Sequence, residues 1–236
     1  MRVPCIIVAE VLQRVVESVL PGITTLELNS IAEKEVAKRK AKPAFRGYSG
    51  YPCSLCCSLN EQVVHGIPSN SPLQGGDILS LDFGAYYDGF FGDAAVTVAV
   101  GSVSKTAANL MSVTEQALLL AIQQAFPGNR LSDISNAVQT FVESNGYSIV
   151  RDFVGHGIGR NLHEQPQIPN YGLPHKGPKL HTGMVLAIEP MVNEKSFEVK
   201  VLADGWTAVT LDGGLSAHFE HTVAITEHGP EILTKI

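Results

Sequence analysis

The fold follows from one stretch, Leu81-Asp82-Phe83-Gly84-Ala85-Tyr86-Tyr87-Asp88-Gly89-Phe90-Phe91-Gly92-Asp93. Apolar, β-favouring residues lie on both sides of Asp88-Gly89, a pair that is a strong short-range signal for a two-residue hairpin turn. A turn at this pair places Asp82 opposite Ala95 and makes Asp93 the diagonal neighbour of Asp82 on the same face. The sequence therefore predicts a β-hairpin that carries two carboxylates on one face of a sheet.

These two carboxylates require a compensating partner. They lie among Leu, Ile, Phe and Val residues, where they would repel each other and lose hydration on burial. A shared proton, a basic side chain or cations would each compensate. No Lys or Arg lies between Asn60 and Ser104, so we favour metal ions.

Composition limits the class of protein. The chain has 236 residues, a formal net charge of −6 and 44% hydrophobic residues, which argues for a globular protein and against a nucleic-acid or anionic-membrane partner. No apolar run approaches the ~18 residues of a membrane span. Charged and polar residues interrupt the N-terminal apolar segment at helical spacing, which indicates an amphipathic helix rather than a signal peptide. We expect a cytoplasmic protein.

The four cysteines do not form a disulfide framework in a chain of this length. Cys53-x-x-Cys56-Cys57 has the spacing of a redox or zinc pair, but the sequence contains no second pair for a structural zinc and no thioredoxin-like context. We interpret these residues as reduced cysteines near a core strand.

Apolar periodicity and capping signals divide the chain into two similar successions of elements. The predicted helices are 6–20, 25–40, 105–126 and 132–146, and the predicted strands outside the hairpin are 54–59, 63–65, 148–154, 184–189, 197–203, 206–211 and 217–226. Two helices followed by strands, twice over, predict one α+β domain over residues 1–236.

Four further candidate residues lie in the second half. His156 stands in Gly155-His156-Gly157-Ile158-Gly159, which we predict to be a Gly-rich turn, and His163 follows seven residues later. Glu189 ends an apolar run before Pro190, which favours burial. Glu220 lies in an alternating strand, where a solvent-facing position is equally compatible with the pattern. Taken alone, His156 fits a hydrogen-bonded turn residue as well as a ligand.

As a set, Asp82, Asp93, His156, Glu189 and Glu220 form an oxygen-rich ligand group with one imidazole. Such a group suits divalent ions such as Mn²⁺, Fe²⁺, Co²⁺ or Zn²⁺. Five protein ligands are too many for one tetrahedral catalytic site with an open position. Two ions about 3.5 Å apart, bridged by carboxylates, use all five.

The order of these ligands resembles the dinuclear site of the methionine aminopeptidases. The supporting motifs are Asn60-Glu61-x-x-Val64-His65-Gly66-Ile67-Pro68, Asp88-Gly89-x-x-Gly92-Asp93, Gly155-His156-Gly157-Ile158-Gly159, His163-Glu164-x-Pro166, Ile188-Glu189-Pro190-Met191 and Phe219-Glu220-His221-Thr222. They span nearly the whole chain. Glu189 and Glu220 are 31 residues apart, which leaves no room for the helical insertion of type II enzymes, so the resemblance is to type I.

The resemblance implies a pita-bread fold, in which a curved antiparallel sheet of two pseudo-related halves carries helices on its outer face. It also implies removal of the N-terminal methionine from nascent proteins and peptides, with a preference for a small second residue, by attack of a metal-bridging hydroxide. The implied cofactors are two divalent ions (Co, Mn, Fe or Zn). The implied partners are nascent polypeptide N-termini, with transient ribosome contact, no nucleic-acid specificity and no membrane, and we expect a monomer.

Residue roles come from the same resemblance. Asp82 is expected to chelate one ion and His156 with Glu189 the other, while Asp93 and Glu220 bridge both. Glu189 is also expected to take the proton of the attacking water. The catalytic set is completed by two histidines: His163 for the oxyanion and His65 for the scissile amide or the substrate backbone.

The resemblance also implies an apolar pocket for methionine. The residues that fall where the family lines it are Phe45, Tyr48, Tyr51, Cys56, His65, Leu162 and Trp206, with His163 also contacting substrate. Phe45 and Leu162 depart from the Cys and Phe that we expect at these positions, so bulk is exchanged between two sides of the pocket. The alternative is that the aromatic residues belong to an ordinary core. Relative to the family, the start of the chain falls in the first helix, and we expect this departure to affect no predicted ligand.

Three competing hypotheses remain. An Xaa-Pro peptidase of the same fold would carry an extra N-terminal domain and lack this aromatic pattern. A non-catalytic binding module of the same fold would have lost several ligands, because unpaired buried carboxylates are costly to keep. Calcium binding for stability is disfavoured by His156, since calcium takes oxygen ligands.

Overall fold

The computed structural model describes residues 1–235. Within that range it has four α-helices, fifteen strands and one short 3₁₀ helix, Tyr48–Gly50. The α-helices are α1 (Arg2–Val16), α2 (Thr25–Lys38), α3 (Lys105–Gln123) and α4 (Leu131–Ser144). The strands are β1 (Lys42–Pro43), β2 (Cys56–Leu59), β3 (Gln62–Val64), β4 (Ile78–Tyr87), β5 (Phe90–Ala99), β6 (Ser148–Ile149), β7 (Gly155–Gly157), β8 (Glu164–Ile168), β9 (Val185–Ile188), β10 (Met191–Asn193), β11 (Val199–Val201), β12 (Ala208–Thr210), β13 (Ser216–His218), β14 (Glu220–Thr226) and β15 (Gly229–Ile232).

The predicted hairpin is confirmed as β4 and β5. Asp88 and Gly89 form the loop with φ values of 47° and 83°, and both must be positive in the turn that suits the twist of a two-residue hairpin. Asp82 lies opposite Ala95 and Gly84 opposite Asp93. The turn residues therefore set the register, and the register places both carboxylates on the same face.

The main sheet joins the two halves of the chain side by side. Its strand order is β1-β4-β5-β14-β9-β7-β8, with β2 paired to β4 and β15 paired to β14, and the paired strands are antiparallel. The β5–β14 contact is the junction between the first-half hairpin and the second-half strands. Residues near this junction therefore come from distant parts of the sequence.

The helices cover one face of this sheet. Leu81 and Phe83 of β4 pack against α1 and α2 in one buried cluster, and Ile188 and Val223 pack against α3 and α4 in another. Because side chains alternate along a strand, Asp82 and the other even-numbered neighbours point to the opposite face. The α+β class and the curved antiparallel sheet are confirmed.

Several element bounds differ from the sequence prediction. The first helix occupies residues 2–16 rather than 6–20, since Pro4 is tolerated in a first turn, where its missing N–H breaks no helical bond. The predicted strand 148–154 contains only Ser148–Ile149. His156, predicted in a turn, lies in the short strand β7. Strands β1, β8, β10 and β15 were not predicted, because each has at most five residues, too few for a clear apolar pattern.

Two local predictions are confirmed. Thr24 and Glu27 form the capping box of α2, each side chain accepting a backbone N–H of the other. All four cysteines are free thiols.

Among the helices of residues 1–235, none combines the length and apolarity needed to cross a membrane.

Candidate active site

Five strands that are adjacent in the sheet bring the predicted ligands together in two rows. In the first row, Asp82 and Glu220 both lie opposite Ala95, and Glu189 directly follows Ile188 at the same level of β9. The side chain between the two acids is therefore only a methyl group, which leaves space between their carboxylates.

The second row lies one pair of residues further along the strands. Asp93 exchanges hydrogen bonds with Thr222, whose Oγ1 accepts from the Asp93 N–H at 3.1 Å and donates to the Asp93 carbonyl at 2.7 Å. Thr222 lies opposite Ala187, and Ala187 lies opposite His156. Small residues again separate the two candidate ligands, so Asp93 and His156 reach the same space from opposite sides.

Burial alters the protonation of these carboxylates. Burial is the main cause of a raised pKa in each, to about 7 for Asp82 and Glu189 and well above the ordinary value for Asp93 and Glu220. Neighbouring carboxylates reinforce the rise in Asp93 and Glu220, because like charges disfavour ionisation of one another. The metal-free cluster therefore holds protons at neutral pH.

The cluster has unsatisfied buried oxygens that fit a cation. Asp82 Oδ1, Asp93 Oδ1 and Glu220 Oε1 are buried without a hydrogen-bond partner among residues 1–235. Such atoms are rare in folded proteins and costly unless something binds them. Asp93, His156 and Glu220 each offer a ligand atom within 4.8 Å of the others. The donor set and its orphaned oxygens fit divalent metal.

Backbone contacts hold His156 in a metal-binding form. Its Nδ1 lies 2.9 Å from the carbonyl oxygen of Gly157, which can only accept, so Nδ1 carries the proton and Nε2 keeps its lone pair. A Cβ on Gly155 would lie 2.4 Å from the Ala187 carbonyl, and one on Gly157 would lie 2.3 Å from the Gln165 carbonyl. Both glycines are therefore required for β7 to fit between its neighbours.

The candidate ligands line a cavity of about 230 Å³. The other predicted pocket residues line the same cavity: Phe45, Tyr48, Tyr51, Cys56, His65, Leu162, His163 and Trp206. Ser49, which the sequence analysis did not indicate, lines it as well. The structure thus brings every predicted site residue to one place. The hypothesis that the aromatics form an ordinary core does not fit Tyr48, whose side chain is exposed at the cavity.

Tyr51 and Cys56 have different roles in the wall of the cavity: Tyr51 holds the surrounding loops, and Cys56 contributes an uncharged surface. The Tyr51 hydroxyl reaches the carbonyl oxygens of Gly66 at 2.9 Å and Leu55 at 3.2 Å, and its ring meets Trp206 edge-on at 5.2 Å. Burial raises the pKa of the Cys56 thiol well above its usual range, so Cys56 presents a neutral, apolar surface to the cavity.

The two predicted catalytic histidines face the cavity from different loops. His163 Nδ1 lies 2.7 Å from the Tyr48 hydroxyl, and its ring centroid is 4.3 Å from that of His156. His65 has a left-handed backbone with φ of 61°, a costly conformation for a non-glycine residue that occurs often at functional sites. Burial lowers the pKa of both, to about 4 for His65, so both are neutral at pH 7.

Phe45 and Leu162 pack together in one apolar cluster with Ala44 and Ile158. The Phe45 ring sits over Gly84, where a Cβ would approach the ring to 2.7 Å. Gly84 therefore provides the space for the larger side chain at position 45.

The sequence analysis missed two polar residues of the site. His218 is 2% exposed and its Nε2 lies 3.4 Å from Glu189 Oε2; its position two residues before Glu220 on an alternating segment was the available signal. Asn170 donates to the Glu189 carbonyl at 2.9 Å and fixes the backbone of that ligand. No local sequence pattern indicates that Asn170 belongs to the site.

Comparison with known proteins agrees with this geometry. The family model for metallopeptidase family M24 matches residues 1–227. A methionine aminopeptidase of Clostridium perfringens is 56% identical over 98% of this chain and 92% of the relative. The crystal structure of a methionine aminopeptidase from Thermotoga maritima superposes with a TM-score of 0.99 at 49% identity, covering 100% of this chain and 95% of that one.

A prolidase from Pyrococcus horikoshii has a TM-score of 0.80 at 23% identity, and this chain covers 60% of it. That likeness shows the fold alone. The chain belongs to metallopeptidase family M24 and is a metal-dependent hydrolase with the pita-bread fold. Within that family it belongs with the methionine aminopeptidases, and it binds divalent metal.

Proposed function

We propose that the chain removes the N-terminal methionine from peptides and nascent proteins, with a preference for a small second residue. The observation that carries this proposal is the arrangement of five candidate metal ligands in one cavity of about 230 Å³, which aromatic and apolar side chains also line. That volume is below the roughly 300–1,000 Å³ of pockets for drug-sized ligands and suits one side chain. The similarity to the named methionine aminopeptidases supports methionine as that side chain.

The metal ligands are proposed from the two rows. Asp82 would hold one ion, His156 and Glu189 a second, and Asp93 and Glu220 both, because β5 and β14, which carry the latter two, lie between β4 and β9 in the sheet. Bound divalent ions supply Lewis acidity that activates water and polarises a carbonyl. The number of ions, two, follows from a donor set too large for one open site.

Three side chains of the protein supply the remaining catalytic roles. Glu189, whose carboxylate lines the cavity beside the other candidate ligands, would accept the proton of the attacking water. His163 Nδ1 lies 2.7 Å from the Tyr48 hydroxyl; in the tautomer in which that hydroxyl donates, the Nε2–H of His163 would donate to the developing oxyanion. His65 contacts the scissile amide or the substrate backbone from the opposite loop.

Location and assembly are proposed on chemical grounds. Nascent N-termini emerge at the ribosome, so we expect transient ribosome contact and a cytoplasmic location, and the free thiols fit a reducing compartment. All the proposed site residues come from one chain, which supports action as a monomer.

The test is release of methionine from the tripeptides Met-Ala-Ser and Met-Lys-Ser. Metal-stripped protein would be assayed alone and after addition of Mn²⁺, Co²⁺, Fe²⁺ or Zn²⁺. We expect metal-dependent cleavage of Met-Ala-Ser, little cleavage of Met-Lys-Ser, and a loss of about 10²-fold or more in His163→Ala. His228→Ala, at an exposed histidine, serves as the matched control. No release with any metal, from protein shown to be folded, would refute the proposal.

A further inference from the structure

His218 is an imidazole beside the candidate metal ligands that the proposed ligand set does not use. It ends β13, and Glu220 begins β14 two residues later. Phe219, between them, packs in the core beneath α3 and α4. Since side chains alternate along extended backbone, His218 and Glu220 project to the same side of the segment that joins β13 to β14.

The backbone of His218 is held in place from both sides. Its N–H donates to Thr97 Oγ1 at 2.9 Å, and the same hydroxyl donates to the His218 carbonyl at 2.7 Å. On its other side, His218 lies opposite Met191 in the β10–β13 ladder. The imidazole is 2% exposed, so it cannot leave the site for solvent without local unfolding.

The Nε2 atom of His218 has no hydrogen-bond partner among the residues that the structure describes. It lies 3.4 Å from Glu189 Oε2, beyond the usual 2.7–3.2 Å of an N–H···O bond. Ligand atoms of Glu189, His218 and Glu220 all lie within 4.8 Å of one another. A buried imidazole nitrogen with no partner, aimed at two carboxylates, has the setting of a metal ligand.

We propose that His218 Nε2 is a direct ligand of the metal ion held by Glu189 and Glu220, a sixth protein ligand of the centre. This inference rests on the metal site of the proposed function. It gives the centre two imidazoles, from His156 and His218, instead of one. Imidazole favours Co²⁺, Fe²⁺ and Zn²⁺ over Mn²⁺, which prefers oxygen, so His218 shifts the metal preference of the centre toward those ions.

The experiment compares metal binding by the wild-type protein, His218→Ala and His218→Gln. Metal-stripped samples would be titrated with Co²⁺ and with Mn²⁺ by calorimetry, and Mn²⁺-loaded samples would be examined by pulsed electron paramagnetic resonance, which detects coordinated imidazole nitrogen. His221→Gln is the matched control, because this neighbouring histidine pairs with Thr234 instead. Circular dichroism establishes that each variant is folded.

We expect His218→Ala to lose one of two nitrogen couplings and to bind Co²⁺ at least about 10-fold more weakly, since even residues that only support a ligand change affinity by about 10- to 100-fold. Mn²⁺ affinity should fall less, so the Co²⁺-to-Mn²⁺ affinity ratio decreases. His218→Gln should likewise lose the coupling, while His221→Gln keeps it.

Unchanged nitrogen couplings in His218→Ala would overturn direct ligation, even if affinity fell. Failure of the wild-type protein to bind either metal would instead overturn the proposed function on which the inference rests. The two failures are therefore distinguished by the wild-type titration alone.

Discussion

Removal of metal should make the folded protein less stable as the pH rises toward 7. A comparison of the wild type with Asp82→Asn measures the contribution of Asp82 to that loss. Without metal, burial raises the pKa of Asp82 from 3.8 to about 7, whereas the unfolded chain has the ordinary value. Between these pH values the folded state holds a proton on Asp82 that the unfolded state does not. A raised folded-state pKa gives a contribution that is complete at low pH and is lost as the pH rises toward 7.

The magnitude follows from the shift. Each pH unit within this window costs about 1.4 kcal/mol of unfolding free energy per group, so Asp82 alone lowers stability by about 2 kcal/mol between roughly pH 5.5 and pH 7. Histidines work in the opposite direction: burial lowers the pKa of His65 and His221 to about 4, so their contribution is lost as the pH falls below about 6.5. Both proteins contain these histidines, so the comparison removes their effect.

The assay is urea unfolding of metal-stripped wild-type protein and Asp82→Asn at several pH values, in the presence of a chelator. We expect the wild type to lose stability relative to Asp82→Asn as the pH rises from about 5.5 to 7. Saturating metal should abolish that relative loss in the wild type, because the cation replaces the proton and binds more tightly at higher pH. Parallel pH profiles of the two metal-stripped proteins would refute the reasoning.

Three further perturbations test the surroundings of the site. Gly157→Ala should cost about 1–3 kcal/mol and weaken metal binding, because its Cβ meets a carbonyl 2.3 Å away; Gly75→Ala, with no atom within 4 Å, should be near neutral in the same thermal melts and metal titrations. Asn29→Ala should cost about 1–3 kcal/mol in urea unfolding, since its Oδ1 accepts two buried backbone N–H groups; a neutral result would contradict that role. Trp206→Ala should raise KM more than it lowers kcat in the tripeptide assay, because the ring lines the cavity beside Tyr51; an unchanged KM would exclude substrate contact.

The parts of the fold that sequence could predict are those with local determinants. A two-residue turn at Asp88-Gly89 leaves only one register for its strands, so the placement of Asp82 and Asp93 followed directly. The capping box of α2 is equally local. Helix ends were less well predicted, because the first turn accepts residues such as Pro4 that also occur outside helices.

The parts that sequence could not predict depend on distant strands. His156 was expected in a turn, yet β7 exists because Gly155 and Gly157 allow it to fit against β8 and β9. The glycines themselves were visible in the sequence. Their reason, a close approach of neighbouring backbone carbonyls, requires the sheet.

The orientation of His218 could not be predicted from the sequence for the same reason. Alternation alone places it with Glu220, but the same alternation is equally compatible with both residues facing solvent. Only the β5–β14 junction, which joins the two halves of the chain, places this face beside Asp82 and Asp93. The four helices pack on the opposite face through apolar residues. A sheet that buries four carboxylates on the face away from its helices therefore needs protons or cations, and the proposed chemistry uses the second.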